Sequence, residues 1–147
     1  MLWRLALVTG LRRGELLGLR ACDIEPSTSS VTIRQNRVVV SGRIVTKRPK
    51  TQRSRRIVVV DSVTAELLAT EKKAANDEDL IFTTGEGCGL DPGWVSRRFK
   101  QLVVTHGLPV IRFHDLRHTS ATLGLSRGES VKEISARLGH SSTAFTE

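Results

Sequence analysis

Apolar positions along the chain follow three rhythms in turn: helical, then alternating, then helical again. Leu2 to Val8 reads as a helix broken at Thr9-Gly10. Leu11 to Leu19 reads as a second, with leucines at 11, 16, 17 and 19 and Thr9 as its N-cap. Ala21 to Ser30, with Asp23, Pro26 and several Ser and Thr, reads as a loop. The pattern then turns to β-branched runs: Val31-Thr32-Ile33, Val38-Val39-Val40, a Ser41-Gly42 turn, and Ile44-Val45-Thr46. A polar loop from Lys47 to Ser54, holding Pro49, separates these from a last apolar strand, Ile57-Val58-Val59-Val60.

Helical spacing returns at about residues 63 to 75, behind an Asp61-Ser62 cap. Leu80-Ile81-Phe82 leads into a loop with Gly85, Gly87 and Gly89. No long strand precedes those glycines and no Gly-Lys-Ser/Thr follows, so they predict a flexible loop rather than a phosphate cradle. Asp91-Pro92 starts a helix through Trp94, Val95, Phe99, Leu102 and Val103 that Gly107 ends. Phe113 to Leu125 is the next. Ser130 caps Val131 to Leu138, which Gly139 stops, and Ser141-Ser142-Thr143 opens a further one. The expected architecture is mainly α with a small antiparallel β-sheet (α+β), in one domain over residues 1–147.

Composition changes this picture mainly through charge. The chain carries 23 Lys and Arg against 15 Asp and Glu, a formal net charge of +8. Residues 31–60 hold nine cations and no carboxylate: Arg34, Arg37, Arg43, Lys47, Arg48, Lys50, Arg53, Arg55 and Arg56. The remainder is balanced to within one charge, so the whole excess sits on the strand region. A solvated sheet face would interleave carboxylates, and this one has none. The segment therefore reads as a phosphate-facing surface, the electrostatic footprint of nucleic-acid binding. Aromatics make up only 4% and there is no tyrosine, which argues against a platform for single-stranded bases. Cys22 and Cys88 form no CxxC pair, which excludes a disulfide scaffold and a cysteine zinc site and fits a reducing cytoplasm. Arg4 interrupts the apolar N-terminus and no cleavage site follows, so no membrane association is expected.

His114-Asp115-Leu116-Arg117-His118 concentrates the candidate chemistry. Two imidazoles can exchange protons near neutral pH, and a guanidinium holds phosphate oxygens in a planar fork. HxxxH alone is half a zinc site, but no glutamate occupies the H-E-x-x-H position and no third ligand is in reach. Neither a metal nor another cofactor is expected. Thr9-Gly10-Leu11-Arg12-Arg13-Gly14-Glu15-Leu16 by itself reads as an amphipathic helix start in which Arg12 and Glu15 can pair.

Taken in order, four segments resemble the tyrosine recombinases, the family of phage integrases and site-specific recombinases. They are Thr9 to Leu16, Pro49-Lys50-Thr51, His114 to Thr119, and Leu138-Gly139-His140-Ser141-Ser142. The resemblance implies that Arg12 and Arg117 clamp the oxygens of a scissile phosphate. It implies that Lys50, with Lys47 its nearby competitor, protonates the departing 5′ oxygen. His114 would then act as acid–base partner of the nucleophile, and His140 would hydrogen-bond the phosphate. Arg43, Lys47, Arg48, Arg53, Arg55 and His118 are the expected further duplex contacts, and homo-oligomers on DNA are expected of the full-length family. Glu15 is expected to orient its arginine or cap structure rather than react, and Asp115 to support a helix start.

The family's nucleophile is a tyrosine beyond His140, and its separate DNA-clamping domain precedes the catalytic one. The chain is accordingly expected to be a C-terminally truncated catalytic domain, inactive alone, acting on no small-molecule substrate. Two alternatives belong to other classes. Val131 to Ser141 resembles the first helix and turn of a helix-turn-helix, as in a non-catalytic double-stranded DNA-binding regulator. A metal-dependent nuclease would need a carboxylate cluster that the sequence lacks.

Overall fold

The computed structural model describes residues 1–47 and 55–139. Helix α1 (Leu2–Thr9) buries Leu2, Leu5, Ala6 and Thr9 on one side and ends at Gly10, whose left-handed backbone (φ 64°) closes it through a bond from its N–H to Ala6 O. The second helix is shorter than its leucines predict. Helix α2 spans only Arg13–Leu17, with Arg12 rather than Thr9 at the N-cap. The Thr9 hydroxyl instead donates back to Leu5 O at 2.5 Å, while Glu15 accepts the Arg12 N–H at 2.9 Å. A carboxylate at the third helical position thus does the capping that the Thr9 side chain was expected to do.

The segment read as a loop from Ala21 to Ser30 contains a strand. A 3₁₀ turn at Ala21–Asp23 leads into β1 (Ile24–Glu25), because buried Ile24 pairs with Val31. Strands β1, β2 (Ser30–Ile33) and β5 (Arg56–Val59) form one antiparallel sheet in that order. Strands β3 (Asn36–Val40) and β4 (Arg43–Lys47) form a separate hairpin. Its turn takes positive φ at both Ser41 (47°) and Gly42 (77°), the twist that matches a two-residue hairpin. In β5 the apolar run divides by face: Val58 is buried, whereas Ile57 and Val59 are 67% and 69% exposed.

Helix α3 (Ser62–Lys73) is capped by Asp61, which accepts Thr64 N–H, and α4 (Pro92–Thr105) by Asp91, which accepts Trp94 N–H. Helix α5 (Asp115–Ser126) starts two residues later than predicted, since Phe113 is a core side chain ahead of it. Helix α6 (Val131–Leu138) has the expected Ser130 cap, reinforced by Glu133, and the expected Gly139 stop in left-handed backbone. Leu5, Leu16, Leu17, Ile33, Val58, Leu68 and Val95 fill one continuous core, and Trp3, Phe99 and Phe113 meet edge-on or tilted at its side. Each such leucine stabilises the fold by roughly 1.5–3 kcal/mol. Helix α1 packs on α5, α5 on α6 and α6 on β5, so the ends of α1, α6 and β5 converge. No helix among the described residues is long and apolar enough to cross a membrane.

Candidate functional site

Where those ends meet, three arginines from distant parts of the chain cap three consecutive carbonyls. Arg56 Nε donates to Arg137 O at 2.7 Å, Arg117 Nη2 to Leu138 O at 2.7 Å, and Arg12 Nη2 to Gly139 O at 3.4 Å. The last carbonyls of a helix have no intrahelical donor and carry the negative end of its dipole, so α6 collects cations at its C-terminus. Arg117 also donates from Nη1 to Gly10 O at 2.7 Å, tying the end of α1 to the end of α6. The HDLRH and TGLRRGE motifs, 100 residues apart, are thereby joined.

Among the described residues, Glu15 is the carboxylate that pairs with these cations. Glu15 accepts Arg56 on both oxygens, at 3.0 and 2.9 Å, and Arg12 Nη1 at 3.2 Å. Burial pushes the Glu15 carboxyl up, but the Arg56 and Arg12 contacts outweigh that and leave it below its ordinary value. Glu15 stays ionised, pairs with the Arg12 side chain and accepts the Arg12 backbone N–H. Arg117 is buried, and desolvation together with the charges of Arg12, Arg56 and Arg137 lowers its guanidinium to about 10. It remains a cation at neutral pH, in a setting where an added anion is strongly favoured. Arg137 belongs to the same frame. It donates to Thr9 O and to Ser120 Oγ and pairs with Glu129 at 3.1 Å, bracing α6 against α1 and α5.

His114 stands at the N-cap of α5 with its ring exposed, and its centroid lies 5.9 Å from that of His118 in an edge-on arrangement. Burial, then Arg117 and His118, lower its affinity for a proton, with Asp115 opposing and Arg112 reinforcing them. Asp115 accepts the Arg112 N–H at 2.8 Å and its side chain at 2.8 Å, which holds the carboxyl at about 2 and secures the helix start. The sign of the linkage is set by the cation being disfavoured in the fold. Between the folded value and the ordinary 6.5 the unfolded chain binds more protons, so stability falls as pH drops below about 6.5. Thermal melts from pH 7.5 to 5.5 are expected to show this loss, and His114→Gln to flatten it. An unchanged slope in that variant would remove His114 from the account.

Beside His114 lies a cavity of about 830 Å³ lined by Arg13, Arg97, Lys100 and Arg112 together with Val110 and Phe113. Arg43, Lys47 and Arg55 are exposed on or beside the strands. Of the six described cations of residues 31–60, three have partners within the fold. Arg34 pairs with Asp23, Arg37 donates to Leu90 O and Arg56 meets Glu15, so the phosphate-facing reading of the whole run narrows. Lys50, Arg48, Arg53 and His140 lie outside the described residues. Among the described residues no three His, Cys, Asp or Glu are grouped to hold a metal ion.

Arg56 and Arg137 were missed as members of the site, although both carry a periodicity signal. Arg56 is in phase with the inward-facing Val58 and Val60, and Arg137 lies one turn beyond the buried Ile134. The cavity cations from α4 had no sequence signal, because spacing along one helix does not reveal which loop faces it.

The model of the phage integrase family matches residues 1–147. A tyrosine recombinase XerC-like protein of Caldanaerobacter subterraneus subsp. tengcongensis is 31% identical over 170 residues, covering 99% of this chain and 43% of that one. The integrase of Mycobacterium phage L5 is 34% identical over 139 residues, covering 90% and 38%. The Tn1549 transposon integrase, solved in complex with a circular intermediate DNA, has the same fold: TM-score 0.87 at 21% identity, over 98% of this chain and 51% of that chain. The chain thus spans about two fifths of the length of these curated relatives, at 43% and 38%.

Proposed function

The chain belongs to the phage integrase family, and from that premise we propose that it is the phosphate-activating part of a site-specific DNA recombinase acting in the cytoplasm. One observation carries the reading. Arg12 and Arg117 are held side by side on the adjacent carbonyls of Gly139 and Leu138, with the Glu15 carboxylate paired to Arg12. Attack on a phosphodiester builds negative charge on the non-bridging oxygens, and two preorganised guanidiniums stabilise that charge more than the ground state. The lowered pKa of His114 leaves its ring unprotonated at neutral pH and so available, though as a weaker base, to take a proton from an attacking hydroxyl.

In the full reaction a tyrosine oxygen attacks phosphorus while its proton passes to the His114 side. The bond to the 5′ oxygen breaks, and that oxygen takes a proton from Lys50. The product is a 3′-phosphotyrosyl link that conserves the bond for rejoining. His140 is the remaining phosphate contact. The 147 residues contain no tyrosine, so none of their side chains supplies this nucleophile. A nicked suicide duplex is therefore expected to form no covalent adduct on this chain, and an adduct would overturn the reading.

Double-stranded DNA is the partner that the exposed Arg43, Lys47 and Arg55 and the cavity cations suit, and Arg48, Arg53 and His118 are the remaining proposed contacts. Affinity should fall steeply between low and moderate salt through counterion release. Arg43→Ala and Lys47→Ala are each expected to weaken binding for all sequences alike and to reduce the logarithmic salt slope by about 1. A binding curve indifferent to salt would count against the duplex as partner.

A further inference from the structure

Arg12 is poised rather than committed. Its side chain is 45% exposed, and its two contacts to Glu15 Oε1 and Gly139 O are long, at 3.2 and 3.4 Å. Arg56, by contrast, is 8% exposed and grips both oxygens of Glu15, itself 7% exposed, at 3.0 and 2.9 Å. Two parallel N–H to oxygen bonds are the strongest way a guanidinium and a carboxylate can meet. The same Arg56 is anchored by its Nε to Arg137 O, so the fork cannot follow Arg12 outward.

We propose that Arg56 is a positioning residue of the phosphate site: by taking the charge of Glu15 it keeps Arg12 aimed yet free to transfer to a DNA phosphate. The inference rests on the assignment of Arg12 as a phosphate ligand. Without Arg56 the ionised Glu15 keeps Arg12 as its partner among the described residues. Its full charge then falls on Arg12, which becomes an ordinary ion pair competing with phosphate. An acceptor oxygen at position 15 is needed for aim, since it also takes the Arg12 N–H that starts α2, and a glutamine amide oxygen can keep that role. Arg56 is needed so that this aim does not become capture.

The test is a double-mutant cycle on the 147-residue chain, reading affinity for a labelled DNA duplex by anisotropy at fixed salt, with melting followed in parallel. Arg12→Ala and Arg56→Gln are each expected to lower affinity about tenfold, and the double variant to lower it by no more than either alone. Glu15→Gln added to Arg56→Gln removes the captor and is expected to restore affinity to within about threefold of the original. That pair also covers the case in which Arg56→Gln alone fails to fold, because two amides leave no buried unpaired charge.

Losses that multiply to about a hundredfold would overturn the proposal, since Arg56 would then act independently. Unchanged affinity in folded Arg56→Gln would reduce Arg56 to a structural brace and equally overturn it. A paired variant as weak as Arg12→Ala would do the same. If Arg12→Ala itself binds normally, the phosphate-site reading fails, and that outcome is distinct from the others.

Discussion

Replacing Arg117 by alanine is expected to lower strand cleavage by about 10²- to 10³-fold in a reaction where a second chain supplies the tyrosine. The variant should also melt several degrees lower. Both effects follow from one side chain with two duties. Its Nη1 and Nη2 satisfy the carbonyls of Gly10 and Leu138, and a buried carbonyl left without a donor costs about 1–3 kcal/mol. Against this stands relief of crowding among Arg12, Arg56 and Arg137, the repulsion that together with burial holds Arg117 at about 10. Removing two charge-assisted bonds outweighs easing a screened repulsion, so a net loss of about 2 kcal/mol is expected. Arg117→Lys separates the duties. A single ammonium can satisfy one carbonyl and restore part of the stability, but it cannot present a planar fork to phosphate oxygens. Cleavage by Arg117→Ala within tenfold of the unaltered chain would remove Arg117 from the transition state.

Gly10→Ala is expected to destabilise the fold by about 3 kcal/mol, since backbone and packing costs add there. Gly10 sits at φ 64°, a conformation that costs an ordinary residue about 1–2 kcal/mol. A methyl group there would also overlap Leu138 Cδ2 and press on Ser120, at 3.0 Å from its Oγ and 3.1 Å from its Cβ. Neither neighbour has room to withdraw, because Leu138 is 1% and Ser120 3% exposed. Gly42→Ala is the control. It has φ 77° and nothing within 4 Å of an added Cβ, so it bears the backbone cost alone. Calorimetric melts should show Gly10→Ala losing clearly more than Gly42→Ala. Equal losses would mean that the junction of α1 and α6 yields more easily than its packing implies.

That junction explains why so much of the site was hidden from one-dimensional reading. Helix α6 was legible end to end, since Ser130, Glu133 and Gly139 are local signals that act within one turn. So was the β3–β4 hairpin, which Ser41-Gly42 dictates through its own backbone. Strand β1 was not. It is two residues long, and Ile24 becomes a strand residue only because Val31 returns to pair with it. The misplaced N-cap of α2 has the same cause. Thr9 satisfies the Ser/Thr preference for an N-cap, but the left-handed turn at Gly10 keeps its hydroxyl on α1.

The sequence by itself determined the elements governed by local chemistry, the charge imbalance of residues 31–60, and the identity of His114 and Arg117 as candidate chemistry, whereas Arg12 read alone as part of a helix start and gained a role only through the family resemblance. Residue type and short-range spacing are enough for those, because caps, turns and proton transfer depend on groups a few residues apart. Only the tertiary structure decided which cations are spent and which are available. Arg37 and Arg56 looked interchangeable with Arg43 and Lys47 along the chain, yet folding turns those two onto Leu90 O and Glu15, leaves Arg43 and Lys47 exposed, and gives the still exposed Arg34 a bridge to Asp23 at 3.6 Å. A charge acquires its role from its partner. Here the partners are a carboxylate 41 residues away and the carbonyls at the end of α6, brought to Arg12, Arg56 and Arg117 by packing alone.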